Sequence, residues 1–227
     1  MKTIFTSEEE LVTCISSFVR SNPNPLLKTG SFSLVTELNL GYGIADIVAV
    51  SYKDETPSER KNFLAYFDVS LLNLIEKRNR ISFDDIVYIT RSPEKKILSS
   101  LSSLMEEGFV SLRKGYYSSH KKYADILTDS IAIEAKLKDW RRALKQAYRY
   151  KWFSNKSFVF LPIENIKVPK KNITLFEKYN VGLAGVSKNK GIEVIFSPKE
   201  EPPISYNMRI ALNEHLLFRQ GPSSRHL

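Results

Sequence analysis

The strongest constraint on this chain is a single acid inside an apolar run, Gly43-Ile-Ala-Asp46-Ile-Val-Ala-Val50. Small and β-branched apolar residues in so short a run predict a buried strand. A carboxylate there is costly unless it is paired or holds a cation, so the fold must bring Asp46 a partner. The run before it, 32–40, is also β-rich, and Gly41-Tyr42-Gly43 between the two predicts an antiparallel hairpin.

Size and charge narrow the classes. At 227 residues the chain holds one core, or a main domain with a small inserted one. No apolar run approaches the roughly 18 residues that span a bilayer, and MKTIFTSEEE lacks a signal peptide's apolar core, so a cytoplasmic protein without a membrane partner is expected. Cys14 is the single cysteine, and His120, His215 and His226 are scattered, which excludes a disulfide scaffold and Cys/His zinc modules. Any metal here needs carboxylates. Thirty-four Lys plus Arg against 25 Asp plus Glu leave +9, which favours a polyanionic partner, nucleic acid before acidic lipid.

Along the chain, Thr6 or Ser7 caps a helix whose first turn holds Glu8, Glu9 and Glu10 and whose apolar residues are Leu11, Ile15, Phe18 and Val19. After the hairpin, 53–61 reads as a polar loop or linker. From about 68 to 119 the pattern is helical and short, with helices at 71–77, 86–89 and 93–107, then a Gly-led hairpin turning at Arg113-Lys114-Gly115. Strands resume at 130–135, 157–161, 181–186 and 192–196, with helices at 138–153 and 175–179. An amphipathic segment at 204–218 is expected to dock onto the sheet core. The organisation is α/β: a core of 1–67 and 120–227, with 68–119 inserted.

The chemistry gathers at Ile131-Ala-Ile-Glu134-Ala-Lys136, where Glu134 and Lys136 project from one face of a strand. Alone, such a pair is usually an exposed ion pair. Together with Asp46 on an adjacent strand it forms a recognisable site for phosphodiester hydrolysis: hard oxygen ligands for Mg²⁺ (or Mn²⁺) and an ammonium near the attacking water. In the following helix Lys138, Arg142, Lys145 and Arg149 repeat as a basic stripe that suits a phosphate backbone, and equally a solvated helix face. Glu37 alternates along the first hairpin strand so as to turn towards Asp46 and is a further candidate acid.

These residues resemble the PD-(D/E)xK nuclease superfamily, in its branch with a Q-x-x-x-Y helix after the E-x-K strand. The match is carried by Asp46, by Glu134 and Lys136, and by Gln146 and Tyr150 in Gln-Ala-Tyr-Arg-Tyr. It covers residues 1–65 and 120–165; Ala45 replaces the family's proline, and the long gap from Asp46 to Glu134 is accounted for by the insertion. The resemblance implies a restriction-endonuclease-like mixed sheet flanked by helices. It also implies Mg²⁺ held by Asp46, Glu134 and the Ala135 carbonyl, Lys136 acting on the attacking water, and Gln146 and Tyr150 bracing the site or touching the substrate phosphate. For the family's acid on the first helix, Glu10 is the best match, with Glu9 and Glu8 close behind.

The block 68–119 is similar to a winged helix-turn-helix. That implies duplex DNA binding through the helix 93–107, with Arg91, Lys95, Lys96, Arg113 and Lys114 on phosphates and Tyr116 and Tyr117 free to stack. Winged helices also serve as protein docking surfaces. The expectation is a metal-dependent DNA endonuclease with duplex DNA as partner, as a homodimer or with a partner protein. The rivals are a non-catalytic DNA-binding protein and a nuclease subunit active only within a mobile-element or defence complex.

Overall fold

The structure, a computed structural model, describes residues 4–24, 26–28, 30–41, 43–53 and 60–219. Most of the linker expected at 53–61 lies outside the described residues. In chain order come α1 (Glu8–Ser21), β1 (Ser31–Asn39), β2 (Ile44–Tyr52), α2 (Tyr66–Arg78), β3 (Ile81–Ser82), α3 (Phe83–Thr90), α4 (Glu94–Glu106), β4 (Val110–Arg113) and β5 (Tyr116–Ser119). Then follow β6 (Leu127–Ala135), α5 (Trp140–Tyr150), β7 (Lys156–Pro162), α6 (Lys167–Lys171), α7 (Ile173–Tyr179), β8 (Gly182–Ser187), β9 (Gly191–Phe196) and α8 (Tyr206–Arg219). They form two compact units, Met1–Asp54 with Leu127–Tyr206 and Glu55–Ile126 with Asn207–Leu227.

The first unit is α/β, built on a mixed six-stranded sheet in the order β1-β2-β6-β7-β8-β9. β1, β2 and β6 pair antiparallel, β6, β7 and β8 parallel, and β9 closes the far edge antiparallel to β8. Alternation along β2 and β6 sends Ile47, Ala49, Ile131, Ile133 and Ala135 to one face, where they pack with Leu11, Ile15 and Val19 of α1. The intervening residues, Glu134 among them, face the other side. There α5 connects β6 to β7 and α6–α7 connect β7 to β8, as right-handed parallel crossovers require. Trp140 of α5 stacks on Phe176 of α7, with ring centroids 5.9 Å apart, and joins this helix layer.

The second unit packs α2, α3 and α4 against a small antiparallel sheet ordered β3-β5-β4. Its core holds Leu72, Ile75, Ile86, Ile97, Leu101, Leu104 and Phe109. Lys114 and Gly115 join β4 to β5, both with positive φ (49° and 79°), the backbone a two-residue type I′ hairpin demands.

This division differs from the expected one of 68–119 against 1–67 and 120–227. The second unit begins earlier, ends later, and takes α8, which the sequence pattern sent to the sheet core. Ile210 of α8 joins the second unit's apolar cluster. The side chains that fix α8 there are polar: Asn213 accepts from the Ile126 N–H, and Glu214 accepts from the Leu64 N–H. An amphipathic reading places such residues outward, yet Asn213 and Glu214 are fully buried. The short strand β3 and helix α6 carry no apolar period and escape a sequence reading. Among the described residues no helix is long and apolar enough to cross a membrane.

Candidate active site

β2 and β6 pair with Ile47 opposite Ile133, so Asp46 and Glu134 stand side by side where the two strands reach the hairpin end of the sheet. Asp46 Oδ2 accepts from the Ala135 N–H at 2.7 Å, the partner that its place in an apolar strand requires. Glu134 is 1% exposed. Its Oε1 lies 3.1 Å from Lys136 Nζ, and its Oε2 meets the Tyr150 hydroxyl. Lys136 Nζ also reaches the Ala135 carbonyl oxygen at 3.3 Å and Glu8 Oε2 at 3.0 Å. Residues from both helix layers thus meet at one rim of the sheet, Glu8 from α1 and Tyr150 from α5.

The local sequence explains how each group arrives. Asp139 caps α5 by accepting from the Arg142 N–H, so the helix begins at Trp140, two residues later than the pattern predicts. Trp140, Ala143, Leu144, Ala147 and Tyr150 form its buried stripe, and Tyr150 at the last turn reaches back to the rim. Its hydroxyl lies 2.7 Å from the Ile44 carbonyl oxygen as well as beside Glu134. A phenol carries one proton, so the Tyr150 hydroxyl donates either to Glu134 Oε2 or to the Ile44 carbonyl oxygen, both within its reach. Gln146 sits one turn earlier, and its Oε1 is buried without a hydrogen-bond partner among the described residues.

The electrostatics of these groups are set first by burial. Burial pushes the Glu134 carboxyl above its ordinary range; the Tyr150 hydrogen bond opposes the shift, and Asp46 adds to it. Burial likewise raises Asp46, opposed by the Ala135 N–H and Lys136 and reinforced by Glu8 and Glu37. Burial alone would lower Lys136, but its hydrogen bond to Glu8 and the charges of Glu134 and Asp46 raise it, so it keeps its proton. Glu37 stands across the hairpin from Asp46, between the Thr36–Ile47 and Leu38–Ala45 pairs. Its φ of 54° is left-handed, a conformation that costs a non-glycine residue about 1–3 kcal/mol and concentrates at functional sites. An open groove of about 630 Å³ runs along α1 from Glu8 to Arg20 and is bordered by Glu37 and Asp46.

Of the expected site residues, Asp46, Glu134, Ala135, Lys136 and Tyr150 converge, and Glu37 lies beside them. Glu10 does not. Ser7 is the helix N-cap and accepts from the Glu10 N–H, while Glu10 folds back onto the Thr6 N–H at 2.8 Å and pairs with Lys188. Those bonds hold its carboxyl down at about 2. Glu8 is the helix acid at the rim. The spacing Ser7-x-x-Glu10 is a capping-box signature and could have assigned Glu10 to the cap. Among the described residues no three Asp, Glu, His or Cys side chains gather as a metal cluster. Two carboxylates and a carbonyl nonetheless fit Mg²⁺, which is commonly held by one or two carboxylates with waters and substrate phosphate. The Lys136 ammonium already rests on two of those oxygens, as a cation there would.

The basic stripe is exposed, with Lys138 just before α5 and Arg142, Lys145 and Arg149 along it. In the second unit Arg91 ends α3 and Lys95 and Lys96 open α4, while Arg113 and Lys114 lie at the β4–β5 turn; all five are exposed. Tyr116 is exposed, but Arg80 stacks on its ring at 4.2 Å, and Tyr117 is buried in the core. No family model, curated protein or solved structure matches the chain.

Proposed function

We propose that this chain is a Mg²⁺- or Mn²⁺-dependent DNA endonuclease, a restriction-endonuclease-like unit carrying an inserted winged helix-turn-helix. The observation behind the reading is the meeting of Asp46, Glu134 and Lys136 at one sheet rim, two carboxyls raised above their ordinary range around one ammonium. A divalent cation on Asp46, Glu134 and the Ala135 carbonyl would supply positive charge for the phosphodiester transition state and ease deprotonation of water. Lys136, protonated and tethered to Glu8, orients the attacking water and offsets charge on the phosphate oxygens. Tyr150 fixes the rotamer of Glu134 and ties it to the backbone of β2 at Ile44. In the second unit a three-residue turn, Arg91–Pro93, joins α3 to α4, which suits a helix-turn-helix whose α4 enters a major groove, with Arg91, Lys95, Lys96, Arg113 and Lys114 on phosphates.

The test is cleavage of supercoiled, linear and single-stranded DNA with Mg²⁺, Mn²⁺ or EDTA. Glu134→Ala and Lys136→Ala are each expected to lose about 10²-fold or more, the scale for removing one preorganised charge from such a site. A folded wild-type chain that binds DNA but cuts none under any metal overturns the autonomous nuclease and leaves a binding role or a partner-dependent subunit.

A further inference from the structure

The chain's charge is concentrated in one stretch. Residues 138–178 carry eleven positive and three negative side chains, a net +8 of the whole chain's +9. The rest of the first unit carries eight positive and eleven negative. Of those eight, Lys28, Lys136 and Lys188 each pair with a carboxylate, as Lys151 and Lys156 do within the stretch. The lysines of α6 are different. Lys167, Lys170 and Lys171 are exposed and form no ion pair among the described residues, while Pro169 is buried and pins the turn.

Their position follows from the sheet. Ala135 pairs with Phe160, and the Lys136 N–H donates to the Phe160 carbonyl, so β7 ends beside the strand end that carries Glu134 and Lys136. Asn165 Nδ2 then donates to the Leu137 carbonyl at 2.6 Å and holds the segment leading into α6 against the residue after Lys136. The α6 lysines therefore rise at the carboxyl ends of the parallel strands, where open α/β sheets bind ligands. The α6 lysines lie in the β7–β8 crossover, in the helix layer that α5 and α7 share and that carries the stripe of Lys138, Arg142, Lys145 and Arg149, itself about 16 Å long at 1.5 Å per residue.

We infer that α6 is a second phosphate-binding element and that, with α5, it makes this helix layer the unit's principal nucleic-acid face, with Lys167, Lys170 and Lys171 each on a backbone phosphate of a bound duplex. The inference rests on the nuclease reading only for placing the scissile bond at the rim; the binding face stands apart from cutting. The ligand chemistry is the phosphodiester backbone, shared by DNA and RNA.

The test is the salt dependence of binding to a 30-bp duplex, as DNA and as RNA (probe length about three helical turns), by the full chain carrying Lys136→Ala, with and without Lys167→Gln, Lys170→Gln and Lys171→Gln. Loss of three phosphate contacts lowers the magnitude of the log affinity against log salt slope by about 2 to 3. Lys→Arg at the same positions restores it, and thermal melting checks that the Gln set folds. A drop with either duplex supports the face, and the duplex that shows it names the source. An unchanged slope overturns the inference, as does equal loss of binding to phosphatidylglycerol vesicles, which would make the patch a general anion surface. Cleavage by the chain with Lys136 intact is read separately, so a slope that falls without any cutting sinks the nuclease reading alone, and cutting with an unchanged slope sinks this one alone.

Discussion

Glu134 in the first unit and Glu214 in the second are both buried, and both touch a tyrosine hydroxyl and a cation. Their surroundings differ in supply. Glu214 accepts from both Arg60 terminal nitrogens, from the Leu64 N–H and from Tyr123, so each oxygen has two donors and a matched charge. Asp129, at the other end of the same strand as Glu134, is likewise provided for by Lys156, the Ser130 N–H and the Lys28 N–H. At the rim a single Lys136 serves Glu8 and Glu134 beside Asp46, and the buried Glu134 and half-buried Asp46 are both held above their ordinary range. Acids that hold a fold together are saturated with donors. Those at the rim are kept short of positive charge by the same backbone that positions them.

The sharpest way to break this contrast is Glu214→Ala, which leaves the Arg60 guanidinium buried without its principal partner. It should destabilise the second unit by about 3–5 kcal/mol, read by urea unfolding. A loss below about 1 kcal/mol would mean Glu214 is no more structural than the rim acids.

The next largest effect separates two neighbouring acids of α1. Glu8→Ala should reduce cleavage about tenfold, the scale of one charge-assisted hydrogen bond lost from Lys136. Glu10→Ala should leave cleavage unchanged while loosening the start of α1, and equal losses in a steady-state assay would remove Glu8 from the site.

The smallest effect is on pH. Because Asp46 and Glu134 have raised values, the folded chain binds their protons more tightly than the unfolded one, so their contribution is most favourable below the ordinary carboxylate range and is lost as pH rises from there through the elevated values. Glu134→Gln should flatten that decline in metal-free unfolding curves while changing stability near pH 4 by less than about 1 kcal/mol. An unaltered pH slope would show that Glu134 is not strained by its burial.

Much of the rim was legible because strand periodicity is local: an acid in an apolar run, an E-x-K pair and a Tyr one turn after Gln each declare a face within a few residues. Glu8 and Glu10 look alike in sequence, yet two positions on a helix turn a side chain by about 200°, and only the packing of α1 decides which of them faces the rim. The position of α8 is hidden in the sequence for the opposite reason. Arg209, Asn213 and Glu214 look like solvent residues, and only partners far away in sequence, Asp125, Ile126 and Arg60, make their burial tolerable. Helix α6 showed no apolar period at all, being three lysines, a valine and a proline.

β2 and β6 are neighbours in the sheet, yet 74 residues separate Tyr52 from Leu127. Closing a loop of that length costs an unstructured chain about 4 kcal/mol by the logarithmic rule. Asp46 and Ala135, bonded at the rim, are 89 positions apart, and Glu8 and Lys136 are 128 apart, so the rim rests on non-local contacts. Chains pay for such contacts late in folding, after local structure has shortened the effective path between them. The helical segment between the strands is suited to form first, which would make it a kinetic bridge: once folded, it shortens the path that the two strands must close to bring the acid pair together.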